Sequence, residues 1–269
     1  MKNYLIDRKF TVLSKADSSF GSQPKFKKDG YWYKYNHVGY EDIAETMISD
    51  LLSCSSINNY VTYEQCLING KRGCRCEDFL KVDEQLLTFK LLYSNSTGRN
   101  LADDVNALET SERFDFIVDF IRTETSLDCS RYLFDNITLD MLTRNPDRHF
   151  KNLALIMDAS GNFKTAPIFD NGQGLFQNFS ITPPDMSIEE KIESCFSCTI
   201  SASFDRQYSL AKKSTSYKPF SINYEKYESI LSEYPNSIAK ESMIYLLNVY
   251  KGIFKEKEIE HTVKRGKSR

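Results

Sequence analysis

The sequence changes from β-rich to helical patterns near Lys81, and this change limits the fold more than any other feature. Before it, aromatic and β-branched residues gather in short runs, such as Tyr-Trp-Tyr-Lys-Tyr at residues 31–35, which favour strands. After it, apolar residues recur at helical spacing. The 269 residues therefore predict an α+β chain with a β-rich lobe over residues 1–80 and a mainly helical lobe over residues 81–269.

Within the first lobe, a small polar loop at residues 18–25 is expected to join strands at residues 9–14 and 32–35 in a hairpin. Apolar residues at helical spacing predict an amphipathic helix over residues 41–53. A second hairpin is expected to turn at Asn69-Gly70. The lobe is thus predicted to hold two hairpins and one helix.

The charge and cysteine content narrow the partners and the compartment. Thirty-five Lys and Arg residues against 37 Asp and Glu residues leave a net charge of -2, which provides no overall field that would attract nucleic acid. Seven scattered cysteines fit reduced thiols better than a set of disulfides. No signal peptide or long apolar segment stands out. We therefore expect a cytoplasmic protein with no membrane partner and no direct nucleic-acid binding.

The most informative region is a predicted β-hairpin at residues 153–169, which has polar residues at both ends. Asp147 and Asn152 precede the hairpin, and Asp170 follows it in an Asp-Asn-Gly sequence. Because a hairpin returns the chain to its starting point, these two carboxylates and one amide are predicted to lie together. Oxygen ligands of this kind are what a Mg²⁺-phosphate site requires.

The spacing of these residues matches the catalytic parts of protein kinases. In a kinase, an Asp five positions before an Asn takes the proton of the acceptor hydroxyl, and the Asn and a second Asp hold the metal ions. Asp147 is accordingly predicted to be the catalytic residue, and Asn152 and Asp170 the Mg²⁺ ligands. An isolated Asp and Asn at this spacing would indicate only turn chemistry. The hairpin and the second Asp make the match specific.

The first lobe supplies nucleotide-binding parts in the order that kinases use. Lys34 lies on an expected strand and is predicted to contact the α- and β-phosphates of ATP. Glu41, on the next helix, is predicted to hold Lys34, with Glu45 as the alternative partner. Arg148, His149 and Lys151 are expected to neutralise phosphate from the catalytic loop. Further nucleotide contacts are predicted in the glycine-containing loop, the segment between the lobes and the catalytic loop, at Gly21, Ser22, Gln23, Asp78, Phe79 and His149.

Three segments together resemble the HipA-like kinase family: Gly-Ser-Gln-Pro-Lys at residues 21–25, Asp-Arg-His-Phe-Lys-Asn at residues 147–152 and Ile-Phe-Asp-Asn-Gly at residues 168–172. The chain is similar to the compact branch of that family, the CtkA-type kinases, over nearly its whole length. The resemblance implies a bilobal protein-kinase-like fold, ATP and Mg²⁺ as cofactors, and phosphorylation of Ser or Thr in a protein substrate. It also implies autophosphorylation of the glycine-containing loop, at Ser19 or Ser22, and in some members a toxin with an antitoxin partner.

Three alternatives stay open on the sequence alone. A small-molecule kinase would share the phosphoryl-transfer residues, since the acceptor pocket cannot be read from the sequence. A non-catalytic pseudokinase would keep the fold as a binding module, although Lys34, Asp147, Asn152 and Asp170 are all present. The basic tail at residues 264–269 suggests a nucleic-acid binder, but such ends are more often solvated.

Overall fold

A computed structural model describes residues 1–7 and 25–254. The first part of the chain forms five strands and one helix: β1 (Asn3–Tyr4), β2 (Lys25–Lys28), β3 (Tyr31–Tyr35), α1 (Glu41–Ser53), β4 (Glu64–Ile68) and β5 (Lys71–Glu77). The remainder forms β6 (Gln85–Thr88), α2 (Phe89–Thr97), α3 (Leu101–Ala107), α4 (Arg113–Thr125), α5 (Ser130–Thr143), β7 (Ala154–Met157), β8 (Phe163–Thr165), α6 (Ile188–Ser194), α7 (Phe204–Thr215), α8 (Tyr224–Glu233) and α9 (Ile238–Phe254). The predicted α+β class is confirmed.

The five-stranded sheet has the strand order β1-β4-β5-β3-β2. Neighbouring strands are antiparallel except β1 and β4, which run parallel. The β4–β5 hairpin turns at Asn69 and Gly70, with φ of 51° and 80° as a tight two-residue turn requires. The strand predicted at residues 9–14 lies outside the described residues.

Helix α1 covers one face of this sheet and also packs against α8. Its apolar residues lie on a continuous buried stripe that includes Ile43, Met47 and Leu51. The spacing of these residues matches the helical repeat, so the predicted helix over residues 41–53 is confirmed. This packing fixes the distance between α1 and the strand that carries Lys34.

A second sheet, of strand order β6-β7-β8, supports the predicted hairpin. Strand β6 lies in a region that the sequence patterns predict to be helical, and it pairs with β7 through Leu87 opposite Leu155. After β8 the chain continues beside residues 59–61, where the Val61 N–H donates to the Ile168 carbonyl oxygen at 2.9 Å. These contacts hold both ends of the β7–β8 hairpin in place.

Helix α5 forms the centre of the helical part. Nearly all of its residues are buried, and it packs against α7 and α9. Its last turn ends at Arg144, whose left-handed backbone directs the chain into the loop before β7. None of the helices in the described part combines the length and apolar composition that a membrane crossing requires. A boundary between the lobes at residues 80 and 81 stays a prediction.

Candidate active site

A cleft opens between the inner face of the five-stranded sheet and the end of the β7–β8 hairpin. Its lining combines aromatic and apolar side chains with charged groups: Lys25, Trp32, Lys34, Tyr63, Cys76, Asp78, Phe79, Leu80, Leu86, Phe169 and Asp170. Ligand sites of this kind take an apolar part on hydrophobic walls and fix the polar part with a few charged groups. The lining therefore suits a ligand with an aromatic base and a charged tail.

Lys34 is the central charged residue of the cleft. Side chains alternate between the two faces of β3, so Lys34 points inward while Tyr33 and Tyr35 pack on the outer face. The buried Lys34 ammonium donates to Asp170 Oδ1 at 2.7 Å and to Glu45 Oε1. Burial by itself would lower the pKa of Lys34, but the carboxylates of Asp170 and Glu45 raise it well above its ordinary value. Lys34 is therefore a fixed positive charge at the cleft.

The carboxylate that pairs with Lys34 is Glu45, so the predicted pairing with Glu41 is corrected. Glu41 is the first residue of α1, and its carboxylate accepts hydrogen bonds from the backbone N–H groups of His37 at 3.0 Å and Val38 at 2.9 Å. It thus binds the loop that leads into the helix. Glu45 lies one turn later, where α1 packs against β3.

Asp170 follows the hairpin in a left-handed backbone conformation, with φ of 59°. This conformation is uncommon for residues other than glycine and often marks a functional site. Its second oxygen lies 3.1 Å from Lys25 Nζ, so two lysines contact one carboxylate. Although burial would raise the pKa of Asp170, the charges of Lys25 and Lys34 hold it well below its usual value. Asp170 is therefore an ionised carboxylate, the form that binds metal ions.

Glu45 also holds the loop that carries Asp170. Its Oε2 atom accepts the backbone N–H of Asn171 at 2.9 Å. A Cβ at Gly172 would lie only 3.1 Å from Glu45 Oε1, so the glycine allows α1 to approach the loop closely. Each residue of the Asp-Asn-Gly sequence thus has a separate place in the site.

Arg148 ties the loop before the hairpin to the loop after it. Its Nε atom donates to Asp140 Oδ2 on α5 at 3.1 Å. One terminal nitrogen donates to the carbonyl oxygens of Phe169 at 2.7 Å and Asn152 at 3.3 Å, and the other donates to Asn171 Oδ1 at 2.5 Å. Because Arg148 is completely buried in this network, the expectation that it neutralises phosphate is corrected. Its contacts place the two ends of the hairpin side by side.

Asn152 presents an oxygen that fits a metal ion. Its Nδ2 atom donates to the Asp147 carbonyl oxygen at 2.8 Å. Its Oδ1 atom is buried and has no hydrogen-bond partner among residues 1–7 and 25–254. A buried carbonyl oxygen without a partner costs free energy, and Mg²⁺ accepts such oxygens as ligands. Asn152 and Asp170 therefore fit a Mg²⁺ site.

The protein offers few ligands for that ion. Within the described residues, no three His, Cys, Asp or Glu side chains converge as a closed metal cage. Mg²⁺ in phosphoryl-transfer sites commonly takes one or two protein ligands and fills its remaining positions with phosphate oxygens and water. An amide oxygen and one carboxylate match that pattern.

Asp147 is the predicted catalytic carboxylate, and 44% of its side chain is exposed. Burial of the remainder raises the pKa of Asp147; His149 opposes this rise, and the Asp170 carboxylate adds to it. The His149 Nε2 atom lies 3.7 Å from Asp147 Oδ1, so His149 faces the Asp147 carboxylate. A contact between His149 and the nucleotide stays a prediction.

The predicted adenine contacts, Asp78 and Phe79, follow β5 and line the cleft. The Asp78 N–H donates to the Gly30 carbonyl oxygen at 2.8 Å, and its carboxylate accepts from Trp32 Nε1 at 3.2 Å. That backbone donor is already used, so an adenine contact has to come from another group of the segment. Phe79 packs against Phe169 with ring centroids 5.9 Å apart and forms an apolar wall.

Two further residues of the site, Tyr63 and Lys25, had no role assigned from the sequence. Tyr63 lies with its ring 4.9 Å from Lys34 Nζ, and its hydroxyl accepts the Asp170 N–H at 3.2 Å. Nothing in the sequence separates Tyr63 from other core aromatics. Lys25, in contrast, ends the segment that resembles the kinase loop, and that position was an available signal. The predicted contacts of Gly21, Ser22 and Gln23 lie outside the described residues.

Comparisons with known proteins bear on the fold. No family model and no curated protein matches the chain. The solved structure of the proinflammatory kinase CtkA from Helicobacter pylori matches with a TM-score of 0.57 and 14% identity, over 86% of this chain and 90% of that chain. HipA of the Shewanella oneidensis MR-1 toxin–antitoxin system, solved with HipB and its operator DNA, matches with a TM-score of 0.56 and 13% identity, over 90% of this chain and 67% of that chain.

The chain has the fold of these kinases. Identities of 13% and 14% show a shared fold and nothing finer about chemistry. The bilobal, protein-kinase-like architecture that the resemblance implies is confirmed.

Proposed function

We propose that the protein is an ATP- and Mg²⁺-dependent kinase of the HipA-like family that phosphorylates Ser or Thr residues of proteins. The observation that carries the proposal is the cluster of Lys34, Glu45 and Asp170 at the cleft. Arg148 holds the loop of Asp147 and Asn152 next to this cluster by binding the carbonyl oxygens of Asn152 and Phe169. Folding alone gives no reason to gather paired charges and an unpartnered amide oxygen at an open cleft. Phosphoryl transfer uses a lysine, carboxylates and an amide oxygen arranged in this way.

Nucleotide binding divides between charged and aromatic parts of the cleft. Lys34 binds phosphate oxygens while Glu45 keeps its ammonium in position. Lys25, on the other oxygen of Asp170, is a second cation for the same phosphates. The aromatic faces of Trp32 and Phe79 are the walls for the adenine ring.

Asn152 and Asp170 are the residues that would hold Mg²⁺. The ion supplies positive charge that neutralises the phosphoryl group during transfer. The network of Arg148 fixes the Asn152 backbone relative to Phe169, the residue before Asp170. Both ligands are therefore preorganised before any ion binds, which lowers the cost of forming the site.

Asp147 orients the acceptor hydroxyl and takes its proton. As the acceptor oxygen bonds to the γ-phosphorus, the bond from that phosphorus to the bridging oxygen breaks, and ADP leaves. A raised pKa makes Asp147 a stronger base than an ordinary aspartate, which suits this task. His149 opposes the rise in the pKa of Asp147 and so favours the ionised form, which is the form that accepts the proton.

The test is phosphate transfer by the purified protein with ATP, with and without Mg²⁺, to itself, to a generic protein and to lysate proteins. We expect Mg²⁺-dependent labelling of Ser or Thr. The Asp147→Asn variant is expected to lose about 10²–10⁴-fold in turnover while nucleotide affinity stays within a few-fold. The Asp170→Asn and Asn152→Ala variants are expected to lose Mg²⁺-dependent nucleotide binding, measured by calorimetry.

Two outcomes would contradict the proposal. Nucleotide binding without any ATP consumption would identify a pseudokinase. Transfer confined to low-molecular-weight acceptors would identify a small-molecule kinase. A thermal midpoint measured on each variant separates loss of chemistry from loss of fold, because an Asp147 that only stabilised a turn would give lower stability with unchanged specific activity when replaced.

Regulation by a protein partner and autophosphorylation belong to the same proposal. The HipA structure contains HipB and operator DNA, which supports a search for a partner that binds and inhibits this protein. Mass spectrometry of protein incubated with Mg²⁺ and ATP would locate self-phosphorylation, with Ser19 and Ser22 as the expected sites. The Asp147→Asn variant is the control, because any phosphate on it comes from another kinase.

A further inference from the structure

The chain segment after α6 runs beside the catalytic loop. We call residues 195–199 the flanking segment. At its start, the Cys195 thiol contacts the Arg144 carbonyl oxygen at 3.5 Å. At its end, the Thr199 hydroxyl donates to the Arg148 carbonyl oxygen at 2.8 Å. In each pair the two residues are 51 positions apart in the sequence. Residues 144–148 and 195–199 therefore lie side by side and run in the same direction.

This register sets Cys198 beside Asp147 and Phe196 beside Asn145. A second observation agrees with the placement of Cys198. The Asp147 carboxylate is among the charges that act on the Cys198 thiol. The flanking segment is therefore the part of the chain that an acceptor meets next to the catalytic carboxylate.

Alternate residues of the flanking segment face opposite ways. Cys195, Ser197 and Thr199 are buried, whereas Phe196 and Cys198 are exposed. Alternation of this kind is typical of an extended backbone with one face on the core. The backbone thus directs Phe196 and Cys198 outward on the same side.

The segment is also firmly attached, so the exposure of Phe196 is built into the fold. The Ser197 N–H donates to the Ala202 carbonyl oxygen at 2.9 Å, and the Ser197 hydroxyl donates to Gln207 Oε1 at 2.7 Å. Phe196 itself is 62% exposed. A large aromatic side chain held in solvent by a fixed backbone is a common anchor for a protein partner.

The accessibility of Asp147 favours a large acceptor. Its side chain is 44% exposed, so an acceptor hydroxyl reaches it from solvent over the flanking segment. Small acceptors depend on a cavity that surrounds them, whereas a protein chain needs only a surface. Cys198 is small and uncharged, which leaves room beside Asp147 for a Ser or Thr side chain.

We infer that Phe196 and Cys198 form the docking surface for an extended segment of a protein acceptor, and that Phe196 binds an apolar side chain two positions from the phosphorylated residue. In an extended chain, side chains two positions apart project on the same side about 6.6 Å from each other. Phe196 and Cys198 have this same two-residue spacing. The inference rests on the proposed kinase activity and specifies its substrate class.

The experiment measures phosphorylation of a peptide library. Each peptide has a central Ser or Thr, and each neighbouring position of the peptide is varied in turn. For the wild type, we expect kcat/KM to be about tenfold higher for Leu than for Ser at one of the two positions that lie two residues from the centre. In the Phe196→Ser variant this preference is expected to disappear through a higher peptide KM, while the KM for ATP stays unchanged. The Phe196→Leu variant is expected to retain the preference for Leu over Ser in the peptide.

Val249→Ser is the matched control, because Val249 is an exposed apolar residue on α9 that is 53% exposed. It is expected to leave the peptide preference intact. Equal labelling of all peptides by the wild type, or an unchanged preference in Phe196→Ser, would overturn the inference while leaving the kinase activity in place. Absence of label on every peptide and protein would instead remove the proposed function, and this inference with it.

Discussion

Two buried ion pairs support the cleft, and they differ in what surrounds them. The side chains of Arg148 and Asp140 are both 0% exposed, and every guanidinium nitrogen donates to an oxygen of the protein. Lys34 and Glu45 are nearly as buried, with side chains 7% and 1% exposed. Lys34, however, also contacts Asp170, which is 18% exposed at the cleft.

The difference shows how one chain uses buried charge for two purposes. Arg148 presents a planar set of donors that match oxygens in fixed directions, so its network is closed and can only hold structure. Lys34 is a point charge on a flexible stem, and its contact with Asp170 opens to the cleft. In the proposed kinase, Lys34 would leave Asp170 to bind phosphate, and Asp170 would leave Lys34 to bind Mg²⁺, without unfolding of the site.

The largest expected effect is the loss of stability on breaking the Arg148–Asp140 pair. Arg148→Met leaves the buried Asp140 carboxylate without its charged partner, which should lower the free energy of unfolding by about 3–5 kcal/mol. Urea denaturation measures this loss. The double variant Arg148→Met/Asp140→Leu should recover part of it, because no uncompensated charge remains. A loss below about 1 kcal/mol in the single variant would show that the network is not a scaffold.

Breaking the Lys34–Glu45 pair should have the opposite effect, with a large loss of activity and a small loss of stability. Lys34→Met is expected to lower kcat/KM for ATP at least about a hundredfold, equal to about 2.7 kcal/mol, because the phosphates lose a fixed charge. Glu45 can take up a proton once Lys34 is gone, which limits the stability cost. Lys27→Met, at a 46% exposed lysine beside Asp78, is the control. Equal losses in both variants would contradict the assignment.

Variants of Glu41 and Glu45 test which of the two glutamates is the partner of Lys34. Glu45→Gln weakens the hold on Lys34 and should lower kcat/KM about tenfold. Glu41→Gln affects only the loop before α1, so its activity should match that of the wild type. Steady-state kinetics on both variants decides between them. Loss of activity in Glu41→Gln alone would restore Glu41 as the partner.

The smallest expected effect is a shift in pH dependence. The base form of Asp147 is needed, and its pKa is raised, so kcat should fall as the pH drops through a value above the ordinary range of aspartate. His149 lowers the pKa of Asp147, so His149→Gln should move this acidic limb to higher pH. A pH profile of kcat measures the shift. A limb that moves to lower pH would show that His149 acts in another way.

Local features of the sequence were sufficient for the main parts of the site. The turn residues and strand patterns around residues 153–169 predicted the hairpin, and the hairpin predicted that Asp147, Asn152 and Asp170 converge. The single strand that carries Lys34 was equally clear from its aromatic run. Strand β6 was missed because four residues between a loop and a helix carry too little pattern to indicate a strand.

Contacts between distant residues lay beyond the sequence. Glu41 and Glu45 are one helical turn apart and differ by only about 40° around α1, so periodicity could not decide which of them meets Lys34. Lys25 and Asp170 are separated by 145 positions, and no local pattern links them. Their contact exists only because the sheet closes over the end of the hairpin.

The sequence by itself thus determined helix α1, strand β3, the β4–β5 turn and the β7–β8 hairpin with the polar residues at its two ends, because these depend on residues within a few positions of one another. The tertiary structure decided which charges pair, that Arg148 is buried in a closed network, and that Phe196 stands exposed beside the catalytic loop. Those properties depend on packing between segments far apart in the chain. Packing is decided by the whole molecule, since each contact forms only where the other segments leave room for it.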